Sequence, residues 1–323
     1  MTHGRSFISA DGNIVEITRG GFIIFLKLKT IARILLFLAI TGSCVLAQSV
    51  SDNLKKHVHK LSAEIGNRSV YSPGAMTEAE LYIKDLFENF GYTVELQDCK
   101  PLISEDEDIK ESDFIAKNII ATREGKKGQP QIIIGAHYDT CDNPGANDNA
   151  SGVAVMLELA GKLKDIENNL TVRFIAFANE EPPFYETETM GSMIYTAAAS
   201  AREDDIKGVI ILDGVGYYPH KSNYVYIAGN QESMIFAGDV KSIFSKNSSF
   251  PVKIMKPGTD GYDESDHWSF WNEGYNAVMF IGSFNDFDDP LYHSPQDTEE
   301  KLNYHNMSLL VEGLSSVIKE MVR

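Results

Sequence analysis

Two adjacent acids, Glu180 and Glu181, follow the apolar run Val172-Arg173-Phe174-Ile175-Ala176-Phe177-Ala178. Upstream stand His137-Tyr138-Asp139 and Asp148; downstream stand Asp213 and His293. Two imidazoles and several carboxylates make up the donor set that a pair of divalent cations and one free general base require. Two zinc ions ~3.5–4 Å apart can share a bridging carboxylate and a bridging water. Asp148 suits the bridging role, because Pro144-Gly145-Ala146-Asn147-Asp148-Asn149 reads as a tight turn just before a helix. Asp139 lies two residues past His137, so on an extended segment both side chains share a face and the carboxylate can hold the second imidazole nitrogen. Glu180 and Glu181 leave a strand end in different directions. One can ligate while the other takes a proton from a water whose pKa the metals lower towards ~7.

These residues need strands to deliver them. Gln131-Ile132-Ile133-Ile134-Gly135-Ala136 is a continuous apolar run of the kind buried on both faces of a sheet, and it ends at His137. Leu170 to Ala178 and Val209 to Leu212 are further buried strands, the last ending at Asp213. Residues 92–96 and 114–121, Val225 to Ile227, Val252 to Ile254 and Ala277 to Ile281 complete the expected strands. Helical spacing marks residues 51–92, Ser151 to Lys164, Met190 to Ala201 and Ser308 to Met321. Strands alternating with helices predict an α/β fold with a mostly parallel sheet covered on both faces. Ligands bind such sheets beyond the carboxyl ends of the strands, where His137, Glu180, Glu181 and Asp213 all fall.

Composition narrows the partners. A net charge of -17 over 323 residues argues against nucleic acid, which selects for a basic patch. Lys27, Lys29 and Arg33, the apolar stretch Ile34 to Ile40, and Val45-Leu46-Ala47 form the layout of a secretory signal. The expectation is therefore an N-terminal extension and signal over residues 1–47, with residues 1–19 unstructured, and one catalytic domain over 48–323. The product is an exported protein with no membrane span after cleavage. An uncleaved anchor is the alternative. Cys99 and Cys141 remain after cleavage, and they either pair or stand as free thiols. His57, His59 and His220 lie outside every motif and read as surface residues. His267 reads as a partner of the site or a structural hydrogen bonder. Phe184, Tyr185, Trp268 and Trp271 fit either a specificity pocket or the core.

The ordered set His137-Tyr138-Asp139, Pro144 to Gly152, Asn179-Glu180-Glu181, Leu212-Asp213-Gly214 and Tyr292 to Thr298 resembles the zinc-dependent exopeptidases that include bacterial leucyl aminopeptidases, glutamate carboxypeptidases and glutaminyl cyclases. That resemblance implies a single-domain mixed sheet of about eight strands between helices. It implies one zinc on His137, Asp148 and Asp213, and a second on Asp148, Glu181 and His293. Glu180 matches the general base, Asp139 the residue that orients His137, and Asp148–Asn149 a peptide that is often cis. Tyr262, three residues before Ser265-Asp266-His267, matches a donor to the substrate carbonyl. Asp260 and Glu264 stand where secreted aminopeptidases carry two cysteines. The expected activity is removal of the N-terminal residue from a peptide. The alternatives are a glutaminyl cyclase, a carboxypeptidase and a non-catalytic zinc-binding module. The absence of a long insertion between ligands argues against the large multidomain carboxypeptidases.

Overall fold

The computed structural model describes residues 6–8, 13–17, 23–27, 50–99, 115–218, 224–259, 261–283 and 290–323. Chain packing divides it into two units, Met1–Ser49 and Val50–Arg323. In the first, strands β1 (Ser6–Ile8), β2 (Asn13–Ile17) and β3 (Ile23–Lys27) form an antiparallel sheet in that order. The expectation that residues 1–19 lack structure therefore fails at β1 and β2. The β-branched residues Ile14, Val15 and Ile17 favour a strand there. The apolar stretch 34–47 of the expected signal lies outside the described residues.

The second unit is built on eight strands. In chain order they are β4 (Thr93–Cys99), β5 (Ala116–Arg123), β6 (Gln131–His137), β7 (Thr171–Phe177), β8 (Ile206–Leu212), β9 (Val225–Ala228), β10 (Val252–Ile254) and β11 (Ala277–Ile281). Their order across the sheet is β10-β9-β11-β8-β6-β7-β5-β4. The pairs β10–β9, β11–β8, β8–β6 and β6–β7 are parallel, whereas β11–β9, β7–β5 and β5–β4 are antiparallel. The parallel strands β8, β6 and β7 are thus adjacent at the centre. Their carboxyl ends point the same way, which brings Asp213, His137 and the Glu180–Glu181 segment to one edge.

Seven helices flank this sheet. Helix α1 covers residues 50–58 and runs on through a π-helical stretch, His59–Ile65. The others are α2 (Pro73–Asn89), α3 (Gly152–Leu163), α4 (Gly191–Ala201), α5 (Met234–Asn247), α6 (His267–Asn272) and α7 (Tyr304–Met321). Strand side chains alternate between two cores, as the pleat requires. Ile132, Ile134, Phe174, Ala176, Ile210 and Leu212 pack with apolar residues of α1, α2, α3, α5 and α7. Ile133, Ile175, Phe177, Val209 and Ile211 face the other way, against Tyr195 of α4 and Phe270 of α6. Sequence patterning misses α5 and α6. Helix α6 has only six residues, and α5 interrupts its apolar positions with Asp239, Lys241 and Lys246. Among the described residues, no helix is long and apolar enough to cross a membrane.

Candidate metal centre

Three parallel strands bring the first donors together. His137 closes β6 and is fully buried. Its Nε2 lies 3.2 Å from Asp148 Oδ1 and 3.4 Å from Asp213 Oδ1, yet neither ring nitrogen is aligned for a hydrogen bond. His293 Nε2 lies 3.2 Å from the other oxygen of Asp148, Oδ2, and 3.1 Å from Glu181 Oε2. Asp148 therefore straddles two imidazole–carboxylate sets, one oxygen to each. Donors ~2.0–2.1 Å from one zinc in a tetrahedron stand ~3.3 Å apart. The four histidine–carboxylate separations match that spacing, and His137, Asp148 and Glu181 each offer a ligand atom within 4.8 Å of the other two. Glu181 Oε1 is buried without a partner, a further mark of a donor aimed at an ion.

The charges are consistent with cation sites. Burial opposes a proton on His137, but Glu180 and Asp213 override it and raise its pKa well above the imidazole range. Burial likewise opposes charge on His293, and its hydrogen bonds to Asp148 and Glu181 push it up to about 10. Asp148 is held below the carboxylate range, against its burial, by both histidines. Burial and the Asp148 charge raise Glu181 to about 7. Burial raises Glu180 well above the carboxylate range; His137 opposes the shift and Glu181 adds to it. So many acids cannot share one pocket fully ionised without positive charge among them. Bound cations would supply it.

Local backbone devices aim these side chains. Asp297 takes hold of the Asp148 turn: its Oδ1 accepts the Asn147 N–H at 2.7 Å and its Oδ2 the Asp148 N–H at 3.0 Å. Asn149 donates to the Leu212 carbonyl at 2.8 Å, tying the turn to the end of β8. The Asp148–Asn149 peptide is cis. Gly145 enters the turn at φ 57°, where a Cβ would collide with Thr140 and the Asp148 carbonyl, so glycine is required. His293 and Asn179 are non-glycine residues in the left-handed region, at φ 50° and 56°. Such conformations persist only where the surroundings enforce them.

Asp139 does more than face His137. Its Oδ1 is 3.7 Å from His137 Nδ1, too long for a hydrogen bond. The same carboxylate accepts the Glu180 N–H at 3.2 Å through Oδ1 and the Glu181 N–H at 3.0 Å through Oδ2. It therefore fixes the peptide that carries both glutamates. Glu180 stays off the ligand sets, with Oε2 3.9 Å from His137 Nε2. Ser265 donates to Asp213 Oδ2 at 2.6 Å and leaves Oδ1 to face His137.

Several residues lie where pattern alone does not reach. Arg68 is fully buried and spends its guanidinium on the carbonyls of Leu61, Gly66, Tyr138, Pro144 and Gly145, at 2.7–3.0 Å. It clamps the loop after β6 to the end of α1. Asn118 accepts the Ala178 N–H at 3.1 Å and donates to the Gly191 carbonyl at 2.8 Å, which holds the exit of β7. A cavity beside the carboxylates is bordered by Asp148, Glu180, Asp213, Gly261, Glu264 and Tyr292. Tyr292, 38% exposed, stacks on His293 with ring centroids 3.7 Å apart. The Tyr262 ring stacks on Trp271 at 5.7 Å, and its loop contributes Gly261 and Glu264 to the cavity wall. His267 is buried, its pKa lowered by burial to about 4, and its Nε2 is 2.8 Å from the Tyr262 carbonyl. His59 is exposed, but His57 is not the surface residue its position implies. It is buried, with Nδ1 2.6 Å from the Tyr82 hydroxyl, because helical spacing turns it toward α2. Cys99 and Cys141 are free thiols.

The fold and the donor cluster define an α/β protein with a buried carboxylate–imidazole cluster at the carboxyl edge of its sheet. Residues 118–318 match the model of peptidase family M28, and the chain belongs to that family. It is 31% identical over 296 residues to the uncharacterized protein YfbL of Escherichia coli strain K12, covering 83% of this chain and 87% of that one. Aminopeptidase YwaD of Bacillus subtilis strain 168 is 28% identical over 214 residues, 64% of this chain and 45% of that one. The chain thus spans about half the length of that aminopeptidase. Among solved structures, LapB from Legionella pneumophila matches with TM-score 0.69 and 25% identity over 86% of this chain and 75% of that one. BSAP, a zinc aminopeptidase from Bacillus subtilis, shares the fold with TM-score 0.70, at 17% identity over 84% and 95% of the two chains.

Proposed function

We propose that the protein is an exported di-zinc aminopeptidase that hydrolyses the N-terminal residue from peptides. One observation carries the reading: Asp148 offers one oxygen to the His137–Asp213 set and the other to the His293–Glu181 set, each 3.2 Å from its histidine. That is the arrangement a bridging carboxylate needs, and it favours a pair of ions over the single zinc of a cyclase. His137, Asp148 and Asp213 would hold one ion; Asp148, Glu181 and His293 the other. When bound, the ions supply Lewis acidity, polarising the scissile carbonyl and acidifying water towards pKa ~7.

The chain's own groups do the rest. Glu180 is buried on the cavity wall and outside both ligand sets. With cations offsetting the burial and the neighbouring acids that raise its pKa, its carboxylate would be free to take a proton from the attacking water. It then returns that proton to the leaving amine. Asp139 holds the Glu180 backbone in place during both transfers. Tyr262 donates to the developing oxyanion in this reading, a contribution of ~3 kcal/mol for such a donor. The carboxylates of Glu264 and of the ligand cluster give a free N-terminal ammonium a favourable place to dock.

The test incubates zinc-loaded full-length protein with peptides bearing free or acetylated N-termini, some beginning with glutamine, followed by mass spectrometry. Stepwise loss from free N-termini alone is expected. Glu180→Ala should lose this activity by roughly 10²–10⁴-fold while retaining its zinc. Loss from C-termini, pyroglutamate formation or no change would refute the aminopeptidase reading.

A further inference from the structure

Cys141 lies four residues beyond His137, in the loop that leads to the Asp148 turn. Its Sγ, a carboxylate oxygen of Glu181 and a ring nitrogen of His293 all lie within 4.8 Å of one another. The loop is anchored on both sides of the thiol. Thr140 Oγ1 accepts the Arg68 backbone N–H at 3.0 Å, and the Asp142 N–H donates to the Thr140 carbonyl at 3.0 Å. Asp142 adopts φ 51°, and its carboxylate accepts the Asn67 side-chain amide. Cys141 is therefore carried on a braced turn. Its surroundings are also wrong for a packing role. A free cysteine ordinarily behaves as a small buried hydrophobe, but this one is half-buried beside an acid and an imidazole, with no disulfide. The same glutamate carries a buried oxygen, Oε1, that has no partner. A thiol, an imidazole and a carboxylate whose second oxygen is buried without a partner are donors gathered for a common cation.

Sulfur, nitrogen and carboxylate oxygen in a four-donor set are zinc ligands, with Zn–S at ~2.3 Å and Zn–N at ~2.0–2.1 Å. We propose that Cys141 supplies a thiolate to the ion held by Asp148, Glu181 and His293. The inference rests on the two-ion reading above and adds a donor to one of its two positions. Binding forms the sulfur–metal bond and breaks the S–H bond, and the proton leaves to solvent, one per ion bound at that position. The consequence is asymmetry. The thiolate position takes a soft donor that favours zinc over magnesium or manganese, and it fills first. The all-oxygen-and-imidazole position on His137, Asp148 and Asp213 binds more weakly and fills second.

Cobalt(II) is the probe, because thiolate ligation gives a near-ultraviolet charge-transfer band that carboxylate and imidazole do not. Metal-free full-length protein is titrated with cobalt while bound metal and absorbance are both measured. The band should grow with the first equivalent, saturate there, and vanish in Cys141→Ser, whose first-ion affinity falls by roughly 10–100-fold. Independently of any variant, zinc should protect one thiol of the native protein from a thiol reagent, and a chelator should restore its reactivity. Two cobalt ions bound without the band, or a band that survives in Cys141→Ser, refutes the thiolate while leaving the metal centre standing. A protein that binds no cobalt refutes the centre and the thiolate together.

Discussion

Asp139→Asn separates two roles that one carboxylate combines. In the native protein both Asp139 oxygens accept backbone N–H groups, from Glu180 at 3.2 Å and Glu181 at 3.0 Å. Asparagine keeps the shape but offers one acceptor, so in either orientation its NH₂ meets one of those donors head-on. A hydrogen bond to a charged group contributes ~1.5–3 kcal/mol, and the surviving bond loses its charge. The Glu180–Glu181 peptide thus loses about 2–4 kcal/mol of positional restraint. A displacement of ~1 Å of a reacting group lowers rate by roughly 10²-fold. The effect on His137 is smaller, because the 3.7 Å gap from its Nδ1 is not a hydrogen bond.

Steady-state kinetics on an aminoacyl p-nitroanilide, with zinc content and a thermal melt alongside, should show kcat falling by roughly 10²-fold. KM should stay close to native, and zinc affinity should fall less than about tenfold. If kcat stays within about twofold of native, or if excess zinc restores it fully, the Glu180-positioning argument is wrong and Asp139 serves His137 alone.

Two further perturbations test the frame. Chelation should lower Tm, because ions bind only the folded protein: ~4 kcal/mol is lost at a thousandfold excess over Kd, roughly 8–16 °C for a domain of this size. The chelated protein should also lose stability as pH rises. Glu181 is raised from 4.5 to about 7 and His293 from 6.5 to about 10, so each stabilises fully below its unfolded value and ceases to above its folded one. A flat melt between pH 5 and 9, or a Tm indifferent to chelator, would contradict this assignment. Arg68→Met leaves five carbonyls of the braced loop without their donor, and it should cost at least about 3 kcal/mol in denaturant unfolding. Arg68→Lys should recover little, because an ammonium cannot reproduce the planar fork. Native-like stability in either variant would show the clamp to be incidental.

What the sequence discloses and what it hides divide along a physical line. His137, Asp148, Glu181, Asp213 and His293 are legible as candidate ligands because ligation demands particular side chains in a recognisable order, and apolar runs such as Gln131 to Ala136 announce the strands that end beside them. The residues that aim these ligands act on backbone groups, and one carbonyl or N–H is like another in sequence. Asp297 reaches the N–H groups of Asn147 and Asp148 from about 150 residues away. Arg68 reads as one more charged residue until the loop after β6 folds over it. Strand order is hidden for the same reason: nothing in Val225 to Ala228 says that it pairs antiparallel to β11 and parallel to β10. Cys141 belongs to a third kind. Its type is a plain ligand signal, but its neighbours Glu181 and His293 are 40 and 152 residues further along, and only the braced loop brings the sulfur to them. A departure from the expected donor set is thus harder to read than the set itself, because it has no motif of its own and depends on a turn held by Arg68, Thr140 and Asn67.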